Sequence, residues 1–437
     1  MTVRVVGAGL AGCEAAYQLA KNGIAVELYE MKPKKFSPAH KSEKFCELVC
    51  SNSLKADRIE NACGLLKAEM RLFDSVMMRA ADVSKVPAGG ALAVDREAFS
   101  DAATRIIREN PLISVINEEF TEIDTDIPTI IATGPLTSCA LSEEISRITE
   151  SQGLYFFDAA APIVEKDSID MDKVFYGARY GRGSDDYINA PMTREEYNAF
   201  YNELITAQTV QLEDFEGAEV FEGCMPVEVM AKRGEKTLLF GPLKPVGLVN
   251  PKTGKDDSFA VVQLRQDNRE ASLYNIVGFQ TNLKWGEQKR VFSMIPGLES
   301  AEFVRYGVMH RNTYLDAPRV LNRYYQMRRY PNVFFAGQIT GVEGYVESAS
   351  SGILAGFNMA RRLLNKKPFE PSNKTAIGSL PLYISDETIK KLQPMNANFG
   401  IIEPLSERVR NKQERYGKIA QRALDTLKNQ LLILNEE

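Results

Sequence analysis

A chain of 437 residues is too long for one ordinary hydrophobic core and predicts two or three domains. A hydrophobic fraction of 44%, a charged fraction of 25% and a mean hydropathy of −0.24 belong to a globular protein, and no apolar run nears the roughly 20 residues that a membrane helix needs. The net charge of −5 hides an asymmetry: residues 319–437 carry 18 Lys+Arg against 11 Asp+Glu, and the first 318 carry 35 against 47. A basic third on an acidic chain fits a polyanionic partner, or else a solvated basic face.

In chain order, Thr2 to Val6 predict a buried strand, Cys13 to Lys21 a helix stopping at Asn22-Gly23, and Ile24 to Glu30 a second strand. Between the first strand and the helix, Gly7, Ala8, Gly9, Leu10, Ala11 and Gly12 spell G-x-G-x-x-G. Gly7 permits the tight turn, Gly9 lets a pyrophosphate approach the backbone, and Gly12 lets the helix sit close to the strand. Amide N–H groups and the helix dipole then face the phosphates. Glu30 ends the second strand, where a carboxylate can accept hydrogen bonds from an adenosine ribose. With a strand starting at residue 2 no signal peptide is expected. The six cysteines show no disulfide-framework spacing, so the cytoplasm is the expected compartment. Cys46, Cys50 and Cys63 form no C-x-x-C pair and the only histidines are His40 and His310, so no metal site is expected.

Residues 31–57 carry no steady period and read as a functional loop. Ala62 to Met78 return to a helical pattern, and PAGGALAVDREAFSDAATRIIREN predicts a glycine turn, a short strand and an amphipathic helix with Asp95 near its start. Pro128 to Gly134 (PTIIATG) is a short apolar strand meeting a turn. From about residue 155 to 316 the texture shifts to short β-like runs (TLLFGPL, SFAVVQL, YNIVGFQ) with one helix, Arg194 to Thr206, which reads as an inserted mixed α+β domain. NVFFAGQITGVEGYVESASSGILAGFNMARRLL then repeats the opening theme: a strand ending in Ala336-Gly337, a loop with Gly341 and Gly344, and a long helix with small residues (Ala349, Ser350, Gly352, Ala355, Gly356). Two such half-sites favour FAD over NAD. The expected fold is α/β: a Rossmann-like, glutathione-reductase-type FAD domain made of residues 1–154 and 317–437, interrupted by an α+β insertion at 155–316.

The motifs GAGLAG with VELYEMKP, ELVCSNSL, FEGCMPVEVMA with GPLKPVGL, VGFQTNL, YGVMHRNTYL and FFAGQITGVEGYVESASSG stand in that order. Together they make the chain resemble the folate- and FAD-dependent tRNA uracil-5-methyltransferases, relatives of the larger glucose-inhibited-division FAD proteins. The resemblance implies C5-methylation of a T-loop uridine in tRNA. The carbon donor is 5,10-methylenetetrahydrofolate, the carrier and reductant FAD, and the electron source NAD(P)H. It matches Cys224 to a proposed nucleophile and Cys50 to the second cysteine of the site. Gln338 stands where many FAD proteins carry an Asp on the cofactor.

The chemistry asks for such groups. Uracil C5 is a poor nucleophile until something adds at C6, a thiolate suits that addition, and a base must later remove the C5 proton. Burial alone makes any one cysteine more often inert core, and the assignment of the two roles stays open to exchange. His310, Arg311 and Asn312, with Tyr314, suit a folate pterin and its glutamate tail, or equally a hydrogen-bonded core strand. Tyr345 could stack on the isoalloxazine or the base, or simply pack. For RNA the candidates are Arg323, Arg328 and Arg329 among tyrosines, RRLLNKK, and the basic run 406–428. A ribosomal-RNA uridine as target, an FAD-dependent NAD(P)H oxidoreductase and an RNA-binding protein with structural FAD are the alternatives. The oligomeric state is not legible.

Overall fold

Five parallel strands form the first sheet of the computed structural model, in the order Val333–Phe335, Thr129–Ile131, Thr2–Val6, Ala25–Tyr29, Ile113–Ile116. The structure describes residues 2–150, 154–159, 161–181, 184–210, 225–307, 309–390 and 392–436, with the side chains of 154–159, 309–313 and 435–436 outside the description. Covered on both faces, this sheet reads as near-continuous apolar runs; Val3, Val5, Ile130, Ile131, Val333 and Phe335 are fully buried. Strands from distant parts of the chain are brought together: Thr129–Ile131 pairs with Thr2–Val6 on one side and with the edge strand Val333–Phe335 on the other.

Two helices seal that arrangement. Leu10–Lys21 follows the glycine turn and Tyr345–Leu363 follows the last strand, and they cross at small residues. A Cβ on Gly352 would lie 2.1 Å from Ala11 O, and one on Gly356 2.5 Å from Ala15 O, so backbone meets backbone where no side chain fits. The same logic holds Gly12 against Gly7 O, where a Cβ would come to 1.7 Å.

A second, antiparallel sheet runs Phe175–Tyr176, Ile188–Met192, Ala260–Gln266, Leu273–Ile276, Ile163–Glu165, Phe303–Arg305. Alternation divides its faces. Ile188, Ala190, Val262, Leu264, Tyr274, Ile276 and Val164 join a separate core with the helices Arg194–Thr206 and Trp285–Phe292. On the opposite face the register sets Arg265 against Asn275, Asn275 against Ile163, and Ile163 against Arg305. Leu154–Ala159 and Met309–Tyr314 pair antiparallel where the chain passes between the two sheets.

Three sequence expectations need correction. The insertion, read as having one helix, holds Val227–Lys232 and Trp285–Phe292 besides Arg194–Thr206. The helical pattern of residues 62–78 is two helices, Ala62–Arg71 and Val76–Val83, broken where Asp74 takes φ 62° and Ser75 caps the second. Glu14, from the glycine-turn helix, also accepts from Met77 N at 2.9 Å, Val76 N at 3.2 Å and the Ser75 hydroxyl, so a distant carboxylate fixes that new N-terminus. TLLFGPL, read as β-like, begins as a short helix, Thr237–Phe240, because Leu238 turns into the inserted core while Phe240 faces solvent. Arg194–Thr206 keeps its expected bounds, started by a Thr193/Glu196 capping box.

Glu69 repeats the Glu14 device, accepting from Ala376 N at 3.0 Å and Ile377 N at 2.7 Å at the start of Ala376–Ile384. Burial pushes Glu14 up to about 7 and Glu69 up to about 8, against which the amide hydrogen bonds pull only partly. The native state therefore holds protons that the unfolded chain releases above its ordinary carboxylate pKa near 4.5. The stability these groups contribute is complete below that value and is lost as pH rises through 7 to 8. Melting curves at pH 5.5 and 8.5 should show a loss of stability that Glu69→Gln makes smaller; equal losses in the two proteins would refute the titration. Separately, Gly352→Val should destabilise by about 1–3 kcal/mol or more through overpacking and should lower flavin retention on heating, measured by the same melts followed at flavin fluorescence.

Candidate functional site

The glycine turn lies at the carboxyl end of the first strand, where open α/β sheets bind ligands. Its three glycines differ in what surrounds them. Gly7 has φ +99° and a Cβ there would meet Ala132 O at 2.7 Å, Gly12 is blocked by Gly7 O, and Gly9 has nothing within 4 Å of an added Cβ. The turn is thus packed on two sides and open on the third, the cradle a pyrophosphate requires. Val6 through Ala11, Glu30, His40, Ala132 through Ser138, Gly337, Gln338, Tyr345 and Ser348 line one continuous cleft, so both half-sites face the same space. The residues fit an FAD.

Glu30 is nearly buried and already engaged: Oε2 accepts from Ala8 N at 2.9 Å and Oε1 from Lys32 N at 3.0 Å. Each carboxylate oxygen keeps a lone pair for a ribose hydroxyl. The irregular segment after Glu30 is pinned in place, with Lys32 Nζ donating to Lys44 O at 2.6 Å and Ser42 O at 3.1 Å, and Cys46 N donating to Ala8 O at 3.0 Å. Gln338 Nε2 donates to Glu343 Oε2 at 2.7 Å, so the residue in the usual Asp position holds a buried carboxylate. Gly341, at φ +90°, turns the loop so that Met395 N reaches its carbonyl.

Tyr345 begins the long helix and reaches the loop that carries Cys50. Its Oη accepts from Cys50 N at 2.8 Å and from Ser51 N at 3.4 Å and stands 3.0 Å from Cys50 Sγ. Either group can donate in the contact with sulfur; with amide donors at the phenol oxygen, the phenol proton is free to serve a Cys50 thiolate. Burial, then the charge of Cys50, raises the Tyr345 pKa well above its ordinary value and keeps that proton in place.

Residues that the sequence reading did not single out complete this loop. Asn52 is fully buried: Nδ2 donates to Val94 O and Gln266 O, and Oδ1 accepts from Arg265 Nε at 3.2 Å. Arg265 Nη2 donates to Ser51 Oγ at 2.8 Å. Arg96 donates to Leu48 O at 2.6 Å and pairs with Asp267 at 3.1 Å, and Asp95 caps the following helix while accepting from Arg269 N at 2.9 Å. Cys50 therefore stands where both sheets meet. The polar SNS following Cys50 was the available signal; its partners, Val94 and, more than 200 residues away, Arg265 and Gln266, had none.

Cys224 lies outside the described residues. The chain just after it is anchored, because Met225 is buried, Val227 N donates to Gln280 O at 2.7 Å, and Glu228 accepts from Thr281 Oγ1 at 2.8 Å and Asn282 N at 2.7 Å. His310, Arg311 and Asn312 lie on the strand Met309–Tyr314, opposite Asp158, Phe157 and Phe156. Arg323 pairs with Glu370, Arg328 with Glu387 at 2.9 Å and Arg329 with Glu150. The basic run 406–428 is helical only from Lys412, in Lys412–Glu436, where Lys418 faces Glu407 and Glu414. Among the described residues, no helix is long and apolar enough to cross a membrane and no cluster of three or more metal-ligating side chains occurs.

Residues 2–367 match the family model described as glucose inhibited division protein A. The chain is 61% identical to the methylenetetrahydrofolate--tRNA-(uracil-5-)-methyltransferase TrmFO of Acetivibrio thermocellus and 60% identical to that of Ligilactobacillus salivarius, in each case over 98% of both chains. Two crystal forms of Aquifex aeolicus GidA share the fold with TM-scores of 0.68 and 0.71 at 16% and 15% identity, covering 100% and 98% of this chain and 75% and 76% of theirs.

An acidic side chain in the open cradle tests the cofactor assignment. Like charges about 4 Å apart near a protein surface repel by about 4 kcal/mol, so Gly9→Asp should weaken FAD by roughly a thousandfold. Gly9→Ala, which meets nothing, should fold with an unchanged melting temperature. Equal flavin content per polypeptide in Gly9→Asp and the parent, read from absorbance, would remove the site.

Proposed function

The chain belongs to the glucose inhibited division protein A family and, within it, to the folate-dependent tRNA uracil-5-methyltransferases, and from this we infer that it methylates C5 of a T-loop uridine in tRNA. FAD and 5,10-methylenetetrahydrofolate are its cofactor and carbon donor, with NAD(P)H as electron source, and the cytoplasm is where it meets its RNA. The observation that carries the reading is the Cys50 thiol, held 3.0 Å from the Tyr345 hydroxyl on the wall of the flavin cleft. A small-molecule oxidoreductase would need the glycines but no thiol in that place.

FAD, when bound and reduced, supplies the electrons that bring the one-carbon unit to the methyl level. The Gly7–Gly12 turn and Glu30 hold its adenosine end, and Gly337, Gln338 and Tyr345 border the other half of the cleft. The protein's own chemistry acts on uracil. A thiolate forms the S–C6 bond and sends the C5=C6 electron pair towards O4, which makes C5 the nucleophile. After the new C–C bond forms, a base takes the C5 proton, the electron pair returns to C5=C6, and sulfur leaves. We assign the addition to Cys224 and the proton removal to Cys50. The exchanged assignment has a specific observation in its favour: the Tyr345 hydroxyl stands 3.0 Å from Cys50 Sγ, where it can donate to a thiolate.

RNA carrying 5-fluorouridine separates these roles, because fluorine cannot leave C5 as a proton and the adduct persists. Cys224→Ala should abolish both the adduct and methylation while FAD remains bound and is still reduced by NAD(P)H. Cys50→Ala should stop turnover yet still trap RNA on denaturing gels. The opposite pattern exchanges the two cysteines, and normal methylation by both variants would eliminate thiol catalysis.

A further inference from the structure

The polar face of the inserted sheet has a composition that its fold does not require. Register places Arg265, Asn275 and Ile163 side by side on three neighbouring strands, where directly paired residues project to the same face, and a register shift between Phe303 and Arg305 on the fourth strand sets Arg305 opposite Ile163. The other face is the apolar core. Asn275 is 3% exposed and its Nδ2 has no hydrogen-bond partner among the described residues. A buried amide donor left unpaired costs about 1–3 kcal/mol, so its retention beside two arginines needs a reason.

Charge compensation in this region is uneven. Arg96 pairs with Asp267 at 3.1 Å. Arg265 bonds the neutral oxygens Asn52 Oδ1 and Ser51 Oγ and shares the single Asp267 charge with Arg96. The Arg305 side chain, only partly exposed, takes part in no hydrogen bond or ion pair among the described residues. Its pKa is lowered, first by burial and then by Arg96, with Tyr345, Asp267 and Cys50 among its electrostatic neighbours, so its side chain belongs to the Cys50 site. By contrast, Arg323, Arg328 and Arg329 each have a carboxylate.

We propose that the row from Arg265 through Asn275 to Arg305 is the seat of an RNA phosphodiester next to the target uridine, with Arg305 as its main charge contact. Neutral donors would suffice for the carbonyl groups of uracil; three guanidinium groups, Arg96, Arg265 and Arg305, that share one carboxylate, Asp267, beside an unpaired amide fit an anion. The phosphate oxygens would take the Asn275 N–H and the Arg305 fork, fixing the backbone while the base reaches the cysteine site one step away, where Arg265 already bonds the residue after Cys50. The proposal rests on the RNA-methylating reading.

The test uses the FAD-loaded protein and an unmodified tRNA transcript, with binding measured at several salt concentrations. Arg305→Gln should weaken RNA binding at least about tenfold and reduce the slope of log K against log salt by about 0.7 to 0.9, the value for one phosphate. Arg305→Lys should keep the slope. Asn275→Leu removes an unpaired donor from a buried place, so its melting temperature should hold or rise while RNA affinity falls several-fold, a combination that a purely structural asparagine would not give. Flavin content and the KM values for NAD(P)H and methylenetetrahydrofolate should not move. Unchanged RNA affinity and slope in Arg305→Gln overturns the proposal. So does a rise confined to the folate KM or to the NADPH KM, which would give the site to a glutamate carboxylate or a coenzyme phosphate. Absence of methylation of the transcript by the parent protein would instead overturn the RNA-methylating reading itself.

Discussion

The crossing of the glycine-turn helix with the long helix near the C-terminus is the constraint on which the rest depends. Gly352 and Gly356 bring one backbone against Ala11 and Ala15 of the other, with no room for a methyl group at either point. That contact joins segments more than 300 residues apart and turns two half-sites into one cleft. It also fixes where the long helix begins, and its first residue is Tyr345. A shift of one helical turn, about 5.4 Å, would carry the Tyr345 hydroxyl away from Cys50 and Gly337 away from Ala11, whose Cβ would stand 3.1 Å from a Cβ at that glycine.

A second constraint is set by alternation in the inserted sheet. One face must be apolar to bury the helices Arg194–Thr206 and Trp285–Phe292, and so residues one step along each strand are committed to the other face. There Gln263 and Asn189 bond each other, Arg265 bonds the Cys50 loop, and Asn275 and Arg305 remain available. The insertion is thus more than an appendage. Asn52 is satisfied only by Val94 on one side and by Arg265 and Gln266 on the other, so the polypeptide beside Cys50 is held jointly by both sheets.

What could be read from the sequence follows the range of the interactions responsible. The glycine turn, the Arg194–Thr206 helix with its capping box and the last strand-and-helix half-site are specified by residues within a few positions of one another. The break at Asp74 was not legible because the carboxylate that caps Val76–Val83 sits on another helix 60 residues earlier, at Glu14. TLLFGPL has the composition of a strand, and only its docking against the inserted core selects a helix. Cys50 was visible from its motif. Arg96, Arg265 and Arg305 were not, because their importance comes from cross-strand register and from which of them lacks a carboxylate, and neither is a local property. Arg323, Arg328 and Arg329 were conspicuous because arginine clusters in the sequence are easy to see, yet their charges are each met on the surface. Such exposed pairs are worth only about 0–1 kcal/mol, so they compete weakly with phosphate.

These two constraints meet at Cys50 and give the thiol a dependence on both ligands. Tyr345 lines the flavin cleft with its ring and bonds Cys50 with its hydroxyl. Arg265 stands in the row that ends at Arg305 and bonds Ser51, the next residue. A cofactor that packs against Tyr345 fixes the phenol from one side, and an anion drawn to the arginines changes the field from the other. The Tyr345 phenol, kept protonated by burial, therefore holds Cys50 from the cofactor side, while Arg265 holds the next residue from the side of the inserted sheet.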